Sequence, residues 1–220
     1  MLREKEYIKM KVLLVNGSPH KEGCTFVALS EVAKTLQNEG IETEICWIGN
    51  KPIGGCIACK SCVKTGKCVF DDAVNVIHEK ARQADGFIFG TPVHYASATG
   101  NMTAFMDRLF YSELGGQGNK NFRLKPAACV ISARRAGTTA TFDQMNKYFA
   151  IQEMPIITAK YWNMVHGAAP EQVLEDKEGL MNMRVLGRNM AFALKCKEIA
   201  MKQGLELPTV EPAVFTNFVR

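Results

Sequence analysis

Four of the chain's eight cysteines fall in one short stretch. Cys56, Cys59, Cys62 and Cys68 read C-x2-C-x2-C-x5-C. Thiolates bind metals and carry redox chemistry, so this crowding points to one or the other. A secreted disulfide scaffold would be shorter and would carry a signal peptide. A structural zinc site has two close pairs a dozen or more residues apart. Three cysteines at x2 spacing instead wrap one face of an iron–sulfur cluster, and a fourth completes four-thiolate ligation. The four are candidate ligands of a [4Fe–4S] cluster, with free thiols, disulfide-paired thiols and adventitious zinc as open alternatives. Lys60, Lys64 and Lys67 would offset the charge of such a cluster. Cys46, Cys129 and Cys196 stand in apolar strand or helix contexts and read as packing residues.

A second constellation is NGSPHKEGCT, Asn16 to Thr25, between a strand and a helix. Gly17, Ser18 and Gly23 let backbone approach a ligand closely. Ser18 and Thr25 offer hydroxyls, and the following helix offers unpaired amides and a positive dipole end. Together they make a phosphate site. The loop is neither a Walker loop nor G-x-G-x-x-G, and a plain helix-capping turn is the alternative.

These residues need a scaffold. Lys11–Asn16, Thr43–Ile48, Gly86–Thr91, Pro126–Ala133 and Pro155–Ala159 read as strands, the first, third and fourth as the continuous apolar runs of buried parallel strands. Helical spacing appears at Thr25–Gln37, from Asp71/Asp72 to Gln83, and at Asn101–Tyr111, Phe142–Ile151 and Glu178–Gln203. Alternation of strands and helices predicts an α/β fold, a doubly wound five-stranded parallel sheet with helices on both faces. Ligands then bind at the carboxyl ends of the strands, in the loops after strands one, three and four. The 220 residues suit one domain (1–220), with a short N-terminal extension (1–8), a Cys-rich loop (54–70) and an extended C-terminal tail (206–220).

The first loop resembles the G-S-P-R-x-x-G-N-T loop of the NADPH-dependent FMN reductase and iron–sulfur flavoprotein group, in the flavodoxin-like superfamily. Thr91–Arg108, TPVHYASATGNMTAFMDR, is similar to that group's T-P-V-Y segment ending F-x-D-R. The resemblance covers nearly all of the chain after about Lys9 and implies a flavodoxin-like sheet of order 2-1-3-4-5. It implies FMN, with its phosphate held by Ser18, His20, Cys24 and Thr25. Pro92, Val93, His94 and Tyr95 would supply flat apolar contact and backbone groups to the ring. The loop holding Ala133, Arg134 and Gly137 would lie beside the pyrimidine edge, with Arg134 and Arg135 facing reduced flavin or a nicotinamide phosphate. His20 and Cys24 depart from the family's Arg and Asn. A histidine offers fewer donors and a pH-dependent charge, so FMN is expected to be held less tightly. Asp107 and Arg108 are expected to fix their helix to the core through an ion pair. The compact cysteine motif resembles that of iron–sulfur flavoproteins, although Val69 stands where ferredoxins have proline.

The implied function is an FMN-dependent oxidoreductase that passes reducing equivalents from NAD(P)H, as co-substrate, through flavin N5 to a small-molecule or redox-protein acceptor. No side chain need act as acid or base, because the cofactor carries the chemistry. An electron carrier exchanging with ferredoxin-like partners and a thiol-based redox sensor are the alternatives. Relatives' behaviour implies a homodimer or homotetramer. The net charge of +5 comes without an aromatic-interleaved basic stretch, so no nucleic-acid partner is expected. No run reaches membrane-spanning length and no secretory h-region is read, so no membrane partner and a cytoplasmic location are expected.

Overall fold

The computed structural model describes residues 10–218. The expected extension at 1–8 lies outside them. The chain runs β1 (Lys11–Asn16), α1 (Cys24–Asn38), β2 (Glu42–Trp47), α2 (Ser61–Thr65), α3 (Ala73–Ala81), β3 (Gly86–His94), β4 (Ser97–Ala98), α4 (Gly100–Gln117), β5 (Ala127–Ala133), α5 (Thr138–Ile151), β6 (Met164–His166), α6 (Pro170–Glu175) and α7 (Lys177–Lys202). The sheet order is β2-β1-β3-β5-β6, with β4 pairing β3 off that path. All pairings on the path are parallel, and only β3–β4 is antiparallel. Counted over the parallel strands, this is the expected 2-1-3-4-5.

Side chains on successive strand residues point to opposite faces, and the core divides accordingly. Leu13, Val15, Phe87, Phe89, Cys129 and Ile131 join one apolar cluster with α3, α4 and α5. Val12, Leu14, Ile88, Ala128 and Val130 join a second with α1 and α7. Both faces are covered, which is why the central strands carry no polar alternation.

The fifth strand is a correction. Residues 155–159 make only a bridge, Ile156 beside Ala127, and the paired strand is Met164–His166. Pro155 and Ile157 still exchange backbone bonds with Ala127, but β5 is then met by the later segment. The Arg108 ion pair also differs. Arg108 is 1% exposed and pairs with Asp72 in the segment before α3, while Asp107 accepts a hydrogen bond from the Tyr148 hydroxyl. From Gly204 to Phe218 the chain has no helix or strand and is exposed.

Candidate functional site

The carboxyl ends of β1, β3 and β5 open into a cleft of about 990 Å³. Its floor is the loop from Gly17 to Gly23. Asn16 shapes this loop: its Oδ1 accepts from the Ser18 amide at 3.0 Å and its Nδ2 donates to the Lys21 carbonyl at 2.9 Å. The Ser18 hydroxyl accepts from the His20 amide at 3.1 Å. Trp47 Nε1 donates to the Ser18 carbonyl at 2.7 Å and closes one side. Thr99 holds the loop from beneath, its hydroxyl donating to the Gly17 carbonyl at 2.9 Å.

Helix α1 begins at this loop with Gly23 at its N-cap, no side-chain cap bond and no acidic residue in its first turn. Helices α3, α4 and α7 are capped by Asp72, Thr99 and Asp176. The first-turn amides of α1 therefore face the cleft with their positive dipole end unmet by a side chain, which is the electrostatics an anion needs.

Ser18, His20, Cys24, Thr25, Pro92, Val93, His94, Ala133 and Arg134 all line the cleft. Within it their environments differ. Thr25 is buried and shares a 2.8 Å hydroxyl bond with Ser132, tying α1 to β5. Burial pushes the Cys24 thiol up, and Glu171 adds to this, so it is a neutral thiol near the Gly167 carbonyl. His20, His94 and Arg134 are exposed at the rim.

Two expected residues lie outside the lining. Tyr95 sits at the tip of the β3–β4 hairpin with φ of 66° and a fully exposed ring, because the strand folds back on itself there. Gly137 caps α5 with φ of 92°; a β-carbon there would come within 2.9 Å of Val93, so its part is to let Val93 keep its place. Trp47, Asn50, Lys21 and the Gly167–Pro170 turn line the cleft and were not expected. They lie at the carboxyl ends of β2 and β6, or within the first loop, and that position was the available signal.

A model of the NADPH-dependent FMN reductase family matches residues 10–169. The chain belongs to this family. An iron-sulfur flavoprotein of Methanocaldococcus jannaschii is 33% identical over 191 residues, which is 84% of this chain and 98% of that protein. Among solved structures, RosB with a bound 8-demethyl-8-formylriboflavin-5'-phosphate intermediate superposes with a TM-score of 0.66 at 16% identity, over 96% of this chain and 94% of its own. A flavodoxin from the domain Archaea gives a TM-score of 0.56 at 13% identity, over 84% and 99%. These two likenesses show the flavodoxin-like fold. Membership of an FMN reductase family makes the chain a flavoprotein of oxidoreductase type.

The cysteines of this family member form a separate site. Cys56, Cys59, Cys62 and Cys68 line one small cavity with Arg108, Phe70 and Tyr111. Ala58 and Lys60 hold left-handed backbone there, with φ of 52° and 56°. Cys62 is buried against α4, and burial together with the Cys59, Cys56 and Cys68 sulfurs pushes its thiol up. Sulfurs that oppose one another's ionisation are sulfurs a cation would discharge. Among the described residues no three His, Cys, Asp or Glu side chains gather to grip a single metal ion. Four thiols around one cavity suit a cluster, in which each binds a different iron, better than they suit a lone zinc ion. Helix α4 joins the two sites. Thr99, at its start, touches the cleft loop, and a β-carbon on Gly116 would lie 2.4 Å from the Cys62 carbonyl.

Proposed function

We propose that the chain is an FMN-dependent oxidoreductase that takes reducing equivalents from NAD(P)H and passes them to a quinone, a flavin or a redox protein. The observation that carries this reading is the uncapped N-terminus of α1 opening into a cleft of about 990 Å³, within the size range of small-molecule and cofactor sites. Ser18, His20, Cys24 and Thr25 are assigned to the phosphate through their amides and, for His20, its ring. Pro92, Val93 and His94 are assigned to the ring, with Ala133 and Arg134 at its pyrimidine edge. Bound FMN would supply hydride acceptance at N5 and one- or two-electron release. The protein's part is to hold the ring against β3 and to keep a cation, Arg134, near where negative charge develops. Anaerobic stopped-flow mixing with NADH and NADPH tests it. The expected result is bleaching of the flavin band with at least one; none with either removes the pyridine-nucleotide donor.

A second reading has its own support. The four cysteines share one cavity, and the archaeal relative is an iron-sulfur flavoprotein. Here Cys56, Cys59, Cys62 and Cys68 hold a [4Fe–4S] cluster and the chain exchanges single electrons with a ferredoxin-like partner. Iron and sulfide counted in anaerobically prepared protein decide the cluster. Reduction of the flavin by reduced ferredoxin faster than by either nucleotide decides the carrier role.

A further inference from the structure

Arg108 is the largest of the fully buried side chains, at 1% exposure, and it lies beneath the cysteine segment. Its guanidinium has five N–H groups, and every one is used by residues 54–72. Nη1 donates to Asp72 Oδ2 at 2.7 Å and to the Gly54 carbonyl at 3.3 Å. Nη2 donates to Asp72 Oδ1 at 3.0 Å and to the Phe70 carbonyl at 3.3 Å. Nε donates to Cys68 Sγ at 3.1 Å. The Phe70 ring covers the guanidinium at 4.9 Å. An arginine needed only to anchor a loop would be satisfied by Asp72 and the two carbonyls. This one directs its remaining donor at a sulfur.

We propose that Arg108 is a positioning residue of the four-cysteine centre, whose Nε–H holds the Cys68 sulfur and makes the centre easier to reduce. The proposal rests on the cluster reading above. Reduction adds one negative charge to a site already carrying four thiolates. A buried cation with a hydrogen bond to one sulfur stabilises that added charge more than the state before it. Asp72 neutralises part of the charge, but the Nε–H bond stays directed at sulfur. Lysine cannot replace it, having neither the planar fork nor five donors.

The test uses full-length protein, reconstituted anaerobically and reduced with dithionite, in wild type, Arg108→Gln and Arg108→Lys. Iron and sulfide are counted first, then the midpoint potential is measured by EPR-monitored titration. At a fixed potential the reduced fraction relative to oxidised should fall about tenfold in Arg108→Gln, which is a shift of about 59 mV for one electron. Arg108→Lys should fall in the same direction by less. A loop anchor alone would change cluster loading and stability without a consistent shift in potential. Unchanged potentials in both loaded variants overturn the proposal and leave the cluster reading standing. Wild type that takes up no iron or sulfide overturns both. Should neither variant fold, pulsed EPR of wild-type protein carrying isotopically labelled arginine decides. Coupling of the reduced centre to arginine nitrogen supports the proposal, and absence of coupling refutes it.

Discussion

Thr99 is where removal of one oxygen atom should be felt furthest. It is 4% exposed and joins three elements. Its hydroxyl donates to the Gly17 carbonyl at 2.9 Å and accepts from the Met102 amide at 3.1 Å, and its amide donates to Thr91 Oγ1 at 3.3 Å. Thr99→Val keeps the shape and removes the hydroxyl. The Gly17 carbonyl and the Met102 amide are then both left without a partner in the interior. An unmet buried group costs about 1–3 kcal/mol, and a lost N-cap costs about 1 kcal/mol. The cap and the Met102 amide are one interaction counted two ways, so the total is about 2–4 kcal/mol. That is a large part of the ~5–15 kcal/mol that stabilises a domain of ordinary size. The freed cleft loop must also be ordered when FMN binds, which should weaken affinity about fivefold to tenfold. Urea denaturation and FMN titration by quenching of flavin fluorescence measure the two effects. Thr99→Ser retains the hydroxyl and should recover most of both. If Thr99→Val unfolds within about 0.5 kcal/mol of wild type, or if the serine variant is as weak as the valine, the hydroxyl is not what matters.

Three further outcomes are expected. His20→Arg restores a forked, permanent cation to the loop and should tighten FMN about tenfold; an unchanged dissociation constant by calorimetry would move His20 off the phosphate. Glu113 accepts from His78 Nε2 at 2.6 Å and from the Asn121 amide and Nδ2 at 2.7 and 2.9 Å. Burial raises its carboxyl pKa, but these donors outweigh burial and hold it below the ordinary range. Its stabilisation is thus fully present above the unfolded value of about 4.3 and is lost as pH falls through the lower folded value. Glu113→Gln should lower stability near neutrality and flatten its acid limb, read as denaturation midpoint against pH; an acid limb as steep as wild type's would assign it to other groups. Gly116→Ala would press a β-carbon to within 2.4 Å of the Cys62 carbonyl and 2.6 Å of the Gly66 α-carbon. A clash of backbone on backbone should cost about 1–3 kcal/mol, against about 1 kcal/mol gained in helix propensity. Thermal unfolding unchanged or raised would contradict the contact.

The sheet was legible because buried parallel strands announce themselves: KVLLVN and AACVISA have no polar face to obscure the period. The fifth strand was misplaced because Met164–His166 is too short to leave a periodic trace, while the residues after Pro155 are apolar and extended but paired at one point. The phosphate loop was legible because its chemistry is local, all within ten residues. Arg108's partner was not, since Asp72 is 36 residues earlier and meets it only when α3 and α4 pack. Trp47 and the Gly167–Pro170 turn were missed for the same reason: they reach the cleft from strands flanking the central three, where residue type alone carries no signal.

Helix α4 also acts as a ruler. Its start is bolted to the cleft loop through Thr99, and at Gly116 the cysteine segment rests on bare helix backbone. Some sixteen residues at 1.5 Å each place these two attachments about 24 Å apart along the axis. Loops at either end can lengthen or change sequence without altering that spacing. Inserting a single residue into the helix would lengthen it by about 1.5 Å, yet would swing the glycine face about 100° away from Cys62. The gap between the two sites is therefore set by helix register, and descent could retune the chemistry at either end far more easily than the distance between them.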